Sequence, residues 1–351
     1  MRAALLAWYR RERRDLPWRR TRDPWAIWVS ETMLQQTRVE TVIPYYERFL
    51  ARFPTLEALA DAEPDELMRH WAGLGYYSRA RNRQAGARWV AREHGGRVPD
   101  RLEALLELPG VGRYTAGALA SIAFDRPAPI VDGNVARVLA RLLDLALDVA
   151  SPAGKRRLWS EAEALVAGPT PGDLNQALME LGALVCTPRE PRCGACPLRR
   201  WCRGRAAGRA EALPVKAAKA APREVEGVAA LLLRGARALA VRRPPRGLLG
   251  GLWELPGGEL AAGEAPAAGI ARVLRDRIGL APAQSTPIGV VTHGFTHRAL
   301  RLHVFRAEAP AGRVRRRELD AHRWLAPAAF SALPLSAVAK KALALAAAAR
   351  G

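Results

Sequence analysis

The chain has 351 residues, 49% of them hydrophobic, so it is long enough for two folded domains and too apolar for disorder on a large scale. Its 55 Lys and Arg against 34 Asp and Glu leave a formal charge of +21, an excess that points to a polyanionic partner, nucleic acid first. No apolar run reaches the roughly 18 residues needed to cross a bilayer and the start lacks a signal-peptide core, so no membrane partner is expected and the cytoplasm is the expected compartment.

Residues 1–20 open with a basic amphipathic stretch carrying Leu5, Trp8 and Tyr9, which breaks at Leu16-Pro17-Trp18-Arg19. Met33, Leu34, Val42, Tyr46, Phe49 and Leu50 then keep an approximate helical period. Glu31 follows Ser30 near that helix's start, where a carboxylate is ordinarily a cap or dipole partner. Two further helices meet at a Gly73-Leu74-Gly75 break followed by Tyr76 and Tyr77, and Arg79, Arg81 and Arg83 offer the fork geometry that suits phosphate. The turn Pro109-Gly110-Val111-Gly112 leaves backbone N–H groups bare and allows positive φ, so a phosphate can approach closely. After it, Tyr114, Ala116, Leu119, Ala120 and Ala123 mark a helix with a thin packing face, ended by Pro127 and Pro129. Asp132-Gly133-Asn134 opens an amphipathic helix with Val135, Val138, Leu139, Leu142 and Leu143 on one face.

Residues 155–185 read as helical and lead through Gln176 to Cys186, Cys193, Cys196 and Cys202. Cysteines grouped in this way in a reducing compartment read as a metal site. Four thiolates complete either a tetrahedral zinc or an iron–sulfur cube, and the chemistry alone leaves both open. Residues 206–225 are Ala, Pro and charge without a sustained apolar face, which reads as a linker. Strands are expected over 228–233, 237–241, 287–291 and 298–306, and an Ala-rich helix from Ser336. The turn Phe295-Thr296-His297 sits between the last two strands; His293, His297 and His303 near it lack a clear fourth ligand for zinc.

Several of these motifs together resemble the helix-hairpin-helix DNA glycosylases. The LPGVG turn is followed by Asp132 eighteen positions after Tyr114, as in that family. LPWR, WVSETMLQQT and GLGYY are similar to the adenine-specific MutY branch. The resemblance implies that Glu31 is the catalytic acid and Asp132 the anion facing a sugar cation, with Asn134 and Tyr114 orienting them. It also implies that Trp18, Arg19 and Gln176 line an adenine pocket, that Gln36 and Tyr76 enter the duplex, and that Pro109, Gly110, Val111 and Gly112 grip the DNA backbone. The cysteine spacing matches the [4Fe–4S] loop of this branch, and Phe295, Thr296 and His297 match its 8-oxoguanine-reading loop.

Residues 251–280 resemble a Nudix box, with Gly258, Glu264, Arg272 and Gly279 in register. Val273 and Arg277 stand where a working box carries metal-binding carboxylates, and Asp276 remains, so the fold is expected without the hydrolase. The expected architecture is multidomain: an all-α helix-hairpin-helix glycosylase with an iron–sulfur loop over 1–205, a linker over 206–225, and an α+β Nudix-like lesion-recognition domain over 226–351. The expected activity is release of adenine mispaired with 8-oxoguanine or guanine, on double-stranded DNA, by a monomer associated with the nucleoid. Strand cleavage is not expected, because bifunctional relatives carry a lysine where Tyr114 stands and residues 1–154 contain no lysine. A non-enzymatic damage-binding protein, or a nucleotide pyrophosphohydrolase with a DNA-binding appendage, are the alternatives.

Overall fold

Asp23 and Pro24 start the helix that carries Glu31: the Asp23 carboxylate accepts from the N–H groups of Trp25 (3.1 Å) and Ala26 (3.2 Å), and Pro24 presets the first helical φ. In the computed structural model, which describes residues 1–217, 221–315 and 318–348, every residue of this helix from Trp25 to Met33 is buried. A helix apolar all round belongs in a core. Its polar members close their hydrogen bonds locally, Ser30 Oγ onto Ile27 O (2.9 Å) and Thr32 Oγ1 onto Trp28 O (2.9 Å).

The chain forms two compact units, Met1–Asp61 with Arg81–Lys219, and Ala62–Ala80 with Ala220–Gly351. The first is built of helices. Leu108 O accepts from Val111 N (3.0 Å), and Gly110 has φ +75°, with a Cβ there falling 2.4 Å from Asn82 Cβ, so only glycine fits this turn. Helix Arg113–Ala118 follows directly and presents Tyr114. Asp132 caps helix Gly133–Leu143 by accepting from Val135 N (2.7 Å), while Val135, Val138, Leu139 and Leu142 join a core with Leu174, Ala177, Leu178 and Leu181 of helix Pro171–Leu184. The expected helical face and the capping carboxylate are therefore features of one element.

Residues 206–217 are not a free connection. Helix Arg203–Ala206 continues into a segment that buries Ala210 and Leu213, with Leu213 O accepting from Arg141 Nε (2.9 Å) and Val215 O from Val149 N (3.2 Å). A short apolar residue at intervals, rather than a periodic face, fastens it.

The second unit is a mixed sheet: β1 (Arg223–Arg234), β2 (Arg237–Arg242), β3 (Trp253–Glu254), β4 (Gly257–Glu259), β5 (Thr286–Gly294), β6 (Arg298–Glu308) and β7 (Ala321–Leu325). The order is β3-β2-β1-β6-β5, with β4 on β1 and β7 on β2; β1 and β6 run parallel and the other pairs antiparallel. Alternate residues of β1 feed two cores. Ala229, Leu231 and Leu233 pack with helix Ala337–Ala348, and Val228, Ala230 and Leu232 with helix Pro266–Ile278. Within this unit Arg242 reaches Asp65 at 2.9 Å, tying in the segment Ala62–Ala80.

One close approach positions the site: a Cβ on Gly182 would lie 2.6 Å from Asn134 Cβ and 3.0 Å from Asn134 Cα. Gly182→Ala must therefore push the start of helix Gly133–Leu143 away from helix Pro171–Leu184. We expect it to lower unfolding free energy by about 1–3 kcal/mol, seen as a lower denaturant midpoint with an unchanged slope. An unchanged midpoint would show that the two helices have slack there.

Candidate active site

The segment around Trp18, the end of the buried helix, helix Arg113–Ala118 and the helices Gly133–Leu143 and Pro171–Leu184 line a cavity of about 630 Å³ in the first unit. Trp18, Arg19 and Gln176 line it together with the catalytic candidates Glu31, Tyr114, Asp132 and Asn134. Gln36 stands at its rim in a backbone conformation with φ +62°, uncommon for a side chain of its size. Trp18 is buried and meets Tyr46 edge to face at 5.4 Å, which fixes the indole wall.

Glu31 and Asp132, two of the carboxyl groups on this cavity, have different surroundings. Glu31 is 4% exposed; burial drives its pKa up to about 7, against a lowering hydrogen bond from Tyr114, with Asp132 raising it and Arg19 lowering it by charge. The Tyr114 hydroxyl donates to Glu31 Oε2 at 2.6 Å. Burial and the neighbouring carboxylates hold the Tyr114 phenol well above its ordinary range. Burial also raises Asp132, but its carboxylate accepts from Val135 N (2.7 Å) and Asn134 Nδ2 (3.1 Å), bonds that favour the anion. The proton near neutrality therefore belongs on Glu31. A neutral acid and an anion in one cavity suit cleavage of a glycosidic bond.

Sequence reasoning missed a third carboxylate. Glu180 is fully buried and binds the Arg19 guanidinium through both oxygens (2.9 and 2.8 Å) and that of Arg14 likewise (3.0 and 2.7 Å). Burial raises its pKa, yet the hydrogen bonds from Arg19 and Arg14 outweigh it and hold the group at about 2. Its signal was the i, i+4 spacing from Gln176, which sets both on one face of helix Pro171–Leu184. Arg19, Glu180 and Gln176 thus give the cavity a rigid row of donors and acceptors.

Four sequence candidates lie in the second unit. Tyr76, at φ +45° and 43% exposed, brings its hydroxyl to 2.5 Å from Thr296 Oγ1. Thr296 and His297 are exposed in the turn closed by Phe295 N on Arg298 O (2.7 Å), and the Phe295 ring meets His293 edge to face at 4.7 Å. His303 Nε2 is engaged by Glu226 at 2.6 Å. Two of the arginines expected on phosphate are interior instead. Arg79 donates to Leu74 O (3.1 Å), and Arg83 is 3% exposed, donating to Trp28 O (2.8 Å) with its guanidinium 4.0 Å from the centre of the Trp28 ring. Stacking on an aromatic face offsets part of the cost of burying such a group.

Helix Gly133–Leu143 links the site to the cysteine loop. Arg137 donates to Asn134 Oδ1 (2.8 Å), Gly182 O (2.7 Å) and Cys186 O (2.7 Å). Arg141 is buried and donates to Cys186 Sγ (3.3 Å) and Thr187 O (2.7 Å). Cys186, Cys193, Cys196 and Cys202 are all free and partly buried. Burial first, then the charges of the other three, pushes Cys196 up to about 11. Four thiols in one electrostatic neighbourhood, with cations beside them, fit as donors either zinc or an iron–sulfur cluster, and among the described residues no three metal-binding side chains close around a single ion. In the Nudix-like helix Arg272 engages Glu264 (2.6 Å) and Asp276 (3.4 Å), and Val273 is buried in the core.

Residues 29–152 match the family described as HhH-GPD superfamily base excision DNA repair proteins, and residues 228–345 match a NUDIX domain. Fold and site therefore define a base-excision DNA glycosylase with a NUDIX-type domain. The chain is 39% identical over 400 residues to human adenine DNA glycosylase, covering 97% of this chain and 72% of the human one. The rat enzyme is 40% identical over 393 residues, 96% and 76% of the two chains. That of Mycobacterium tuberculosis is 46% identical over 205 residues, 58% and 67%. A solved thermostable thymine-DNA glycosylase is similar at 34% identity and a TM-score of 0.53, over 57% of this chain and 93% of that one. The protein belongs to the adenine DNA glycosylases, hydrolases of DNA repair.

Keeping Glu31 buried has a cost in stability with a definite sign. Its folded pKa of about 7 lies above the ordinary 4.5, so the native state holds a proton that the unfolded state has lost between those values, and stability falls as pH rises through that window. Glu31→Gln should match wild type below pH 4.5 and exceed it increasingly up to pH 7, with a constant gain above. Melting temperatures of the two proteins across that range check this. Parallel curves would mean that Glu31 ionises normally in the folded protein.

Proposed function

We propose that this protein hydrolyses the N-glycosidic bond of adenine paired with 8-oxoguanine or guanine in double-stranded DNA. The observation that carries the reading is the pair of carboxyls in one cavity, Glu31 buried and its pKa raised to about 7 with Oε2 accepting from the Tyr114 hydroxyl, and Asp132 accepting from Val135 N and Asn134 Nδ2. A stacked base exposes neither its ring nitrogen nor its sugar to this cavity, so the adenine must be flipped out first. Trp18 then offers a wall to the ring, and Arg19, Gln176 and Glu180 offer donors and acceptors to its edge. Glu31 gives its proton to adenine N7, Asp132 faces the positive charge developing on the sugar, and the ionised Glu31 then activates water. No amine stands at the position of Tyr114, which supports base release without strand cleavage.

The remaining residues divide the work on DNA. The turn Pro109–Gly112 meets the backbone, Gln36 and Tyr76 enter the duplex, and Phe295, Thr296 and His297 read the 8-oxoguanine, a role supported by the contact of Tyr76 with Thr296. The formal charge of +21 supports binding to DNA, and we propose that the protein works on the nucleoid in the cytoplasm as a monomer. Cys186, Cys193, Cys196 and Cys202 hold a [4Fe–4S] cluster that shapes a loop rich in arginine; it supplies no step to the hydrolysis. We expect four iron and four acid-labile sulfide per chain, the stoichiometry of such a cluster. Stoichiometric zinc without iron in anaerobically prepared protein would overturn the assignment.

Incubation with A:8-oxoguanine, A:G and A:T duplexes, with and without alkali, tests the main reading. Alkali-labile sites should form in the first two and strand breaks should not appear without alkali. Glu31→Gln should bind the mispairs yet release no base, because the amide keeps the shape and has no acidic proton to deliver. Near-normal single-turnover release by this variant would remove Glu31 from the mechanism, and binding without release by wild type would favour a damage-binding protein.

A further inference from the structure

Tyr114 has a single hydroxyl proton and two acceptors for it, Glu31 Oε2 at 2.6 Å and Met179 Sδ at 3.2 Å. Which acceptor it uses depends on Glu31. An ionised Glu31 has no proton, so the phenol must donate to it. A protonated Glu31 accepts that proton far less strongly, since its carboxyl oxygens no longer share a full negative charge, and the phenol's proton gains by turning to another partner. A buried hydroxyl without one is costly. The thioether of Met179, on helix Pro171–Leu184, lies where that proton would turn.

We propose that Met179 is a positioning residue that keeps Glu31 in its acid form by accepting the Tyr114 proton, and that lets the phenol swing back once Glu31 has protonated the base. This rests on Glu31 being the acid of the proposed reaction. In the transfer the Glu31 O–H bond breaks, an N–H bond forms on the base, and the electron pair stays on the carboxylate oxygen. The Tyr114 proton turns from sulfur to that oxygen without leaving the phenol. Sulfur suits the task because it is a weak acceptor, strong enough to satisfy the phenol and too weak to compete with a carboxylate.

Of the charged groups, Asp132 at the start of helix Gly133–Leu143 and Arg19 from the turn Pro17–Arg19 act on Glu31, and Arg14, Arg38, Glu40 and Glu180 line the same cavity. Met179→Leu changes none of them. It conserves volume and apolarity and removes only the acceptor. The acid form of Glu31 should then be less favoured, so the loss of activity on the alkaline side should move to lower pH. A weak hydrogen bond corresponds to a displacement of about half a pH unit.

Single-turnover adenine release against pH, for wild type, Met179→Leu, Tyr114→Phe and the double variant, tests this. The alkaline limb should move to lower pH in Met179→Leu, and adding that substitution to Tyr114→Phe should move it no further. An unmoved limb in Met179→Leu, or an equal displacement in the Tyr114→Phe background, would overturn the proposal in favour of simple packing. Melting temperatures of wild type and Met179→Leu report the same ionisation without substrate: the fall in stability with rising pH should end about half a unit lower in the variant. If wild type released no base from any duplex, the enzymatic reading would fail, while coincident melting profiles would separately overturn the role of Met179.

Discussion

A carboxyl group has been placed inside an apolar helix with a phenol as its hydrogen-bond donor, and most of the first unit exists to keep it there. Trp25, Ile27, Trp28, Val29 and Met33 on its own helix are buried along with Glu31. Burial penalises the charged form, so the group holds a proton near neutrality, where an exposed glutamate would have lost it. The same burial strengthens every interaction the carboxyl makes with Tyr114 and Asp132, because the local dielectric is low. A general acid poised near working pH is the chemical return on that penalty.

Arginines organise the walls around this acid. Arg14 and Arg19 converge on Glu180 and turn it into a fixed acceptor, a paired arrangement that leaves no buried charge alone. Arg137 and Arg141 leave one helix whose first residues carry Asp132 and Asn134, and they bond the carbonyls and a sulfur of the cysteine loop. The position of the anion in the cavity and the conformation of the cysteine loop are therefore set by one rigid element. Gly182 lets a second helix approach that element closely enough for Arg137 to reach its carbonyl at 2.7 Å.

Much of the cavity was legible in the sequence, since the motifs around Trp18, Glu31, Tyr114 and Asp132 are contiguous and each marks its own element. What could not be read were partners distant along the chain. Glu180 looks like a solvated helix residue until Arg14 and Arg19, more than 160 positions earlier, are folded onto it. Met179 looks like core filling for the same reason. Arg79 and Arg83 were misread in the opposite direction: a basic run suggests a phosphate-facing surface, but Trp28 and the carbonyls of Leu74 and Gly75 offered these two guanidinium groups an interior place. In the second unit the strand pair and its turn followed from alternation and from turn residues, whereas the meeting of Tyr76 with Thr296 spans 220 positions and no local pattern encodes it.

The proton on Glu31 is where all of this converges, and it can be observed without any reaction. Carbon-13 NMR of the protein labelled at the glutamate side-chain carboxyls, with the Glu31 signal assigned by its loss in Glu31→Gln, follows that ionisation directly. The account predicts a midpoint near pH 7, far from the ordinary 4.5. A midpoint near 4.5 would mean that Glu31 and Asp132 are both anions at neutral pH, and would contradict the division of labour between them.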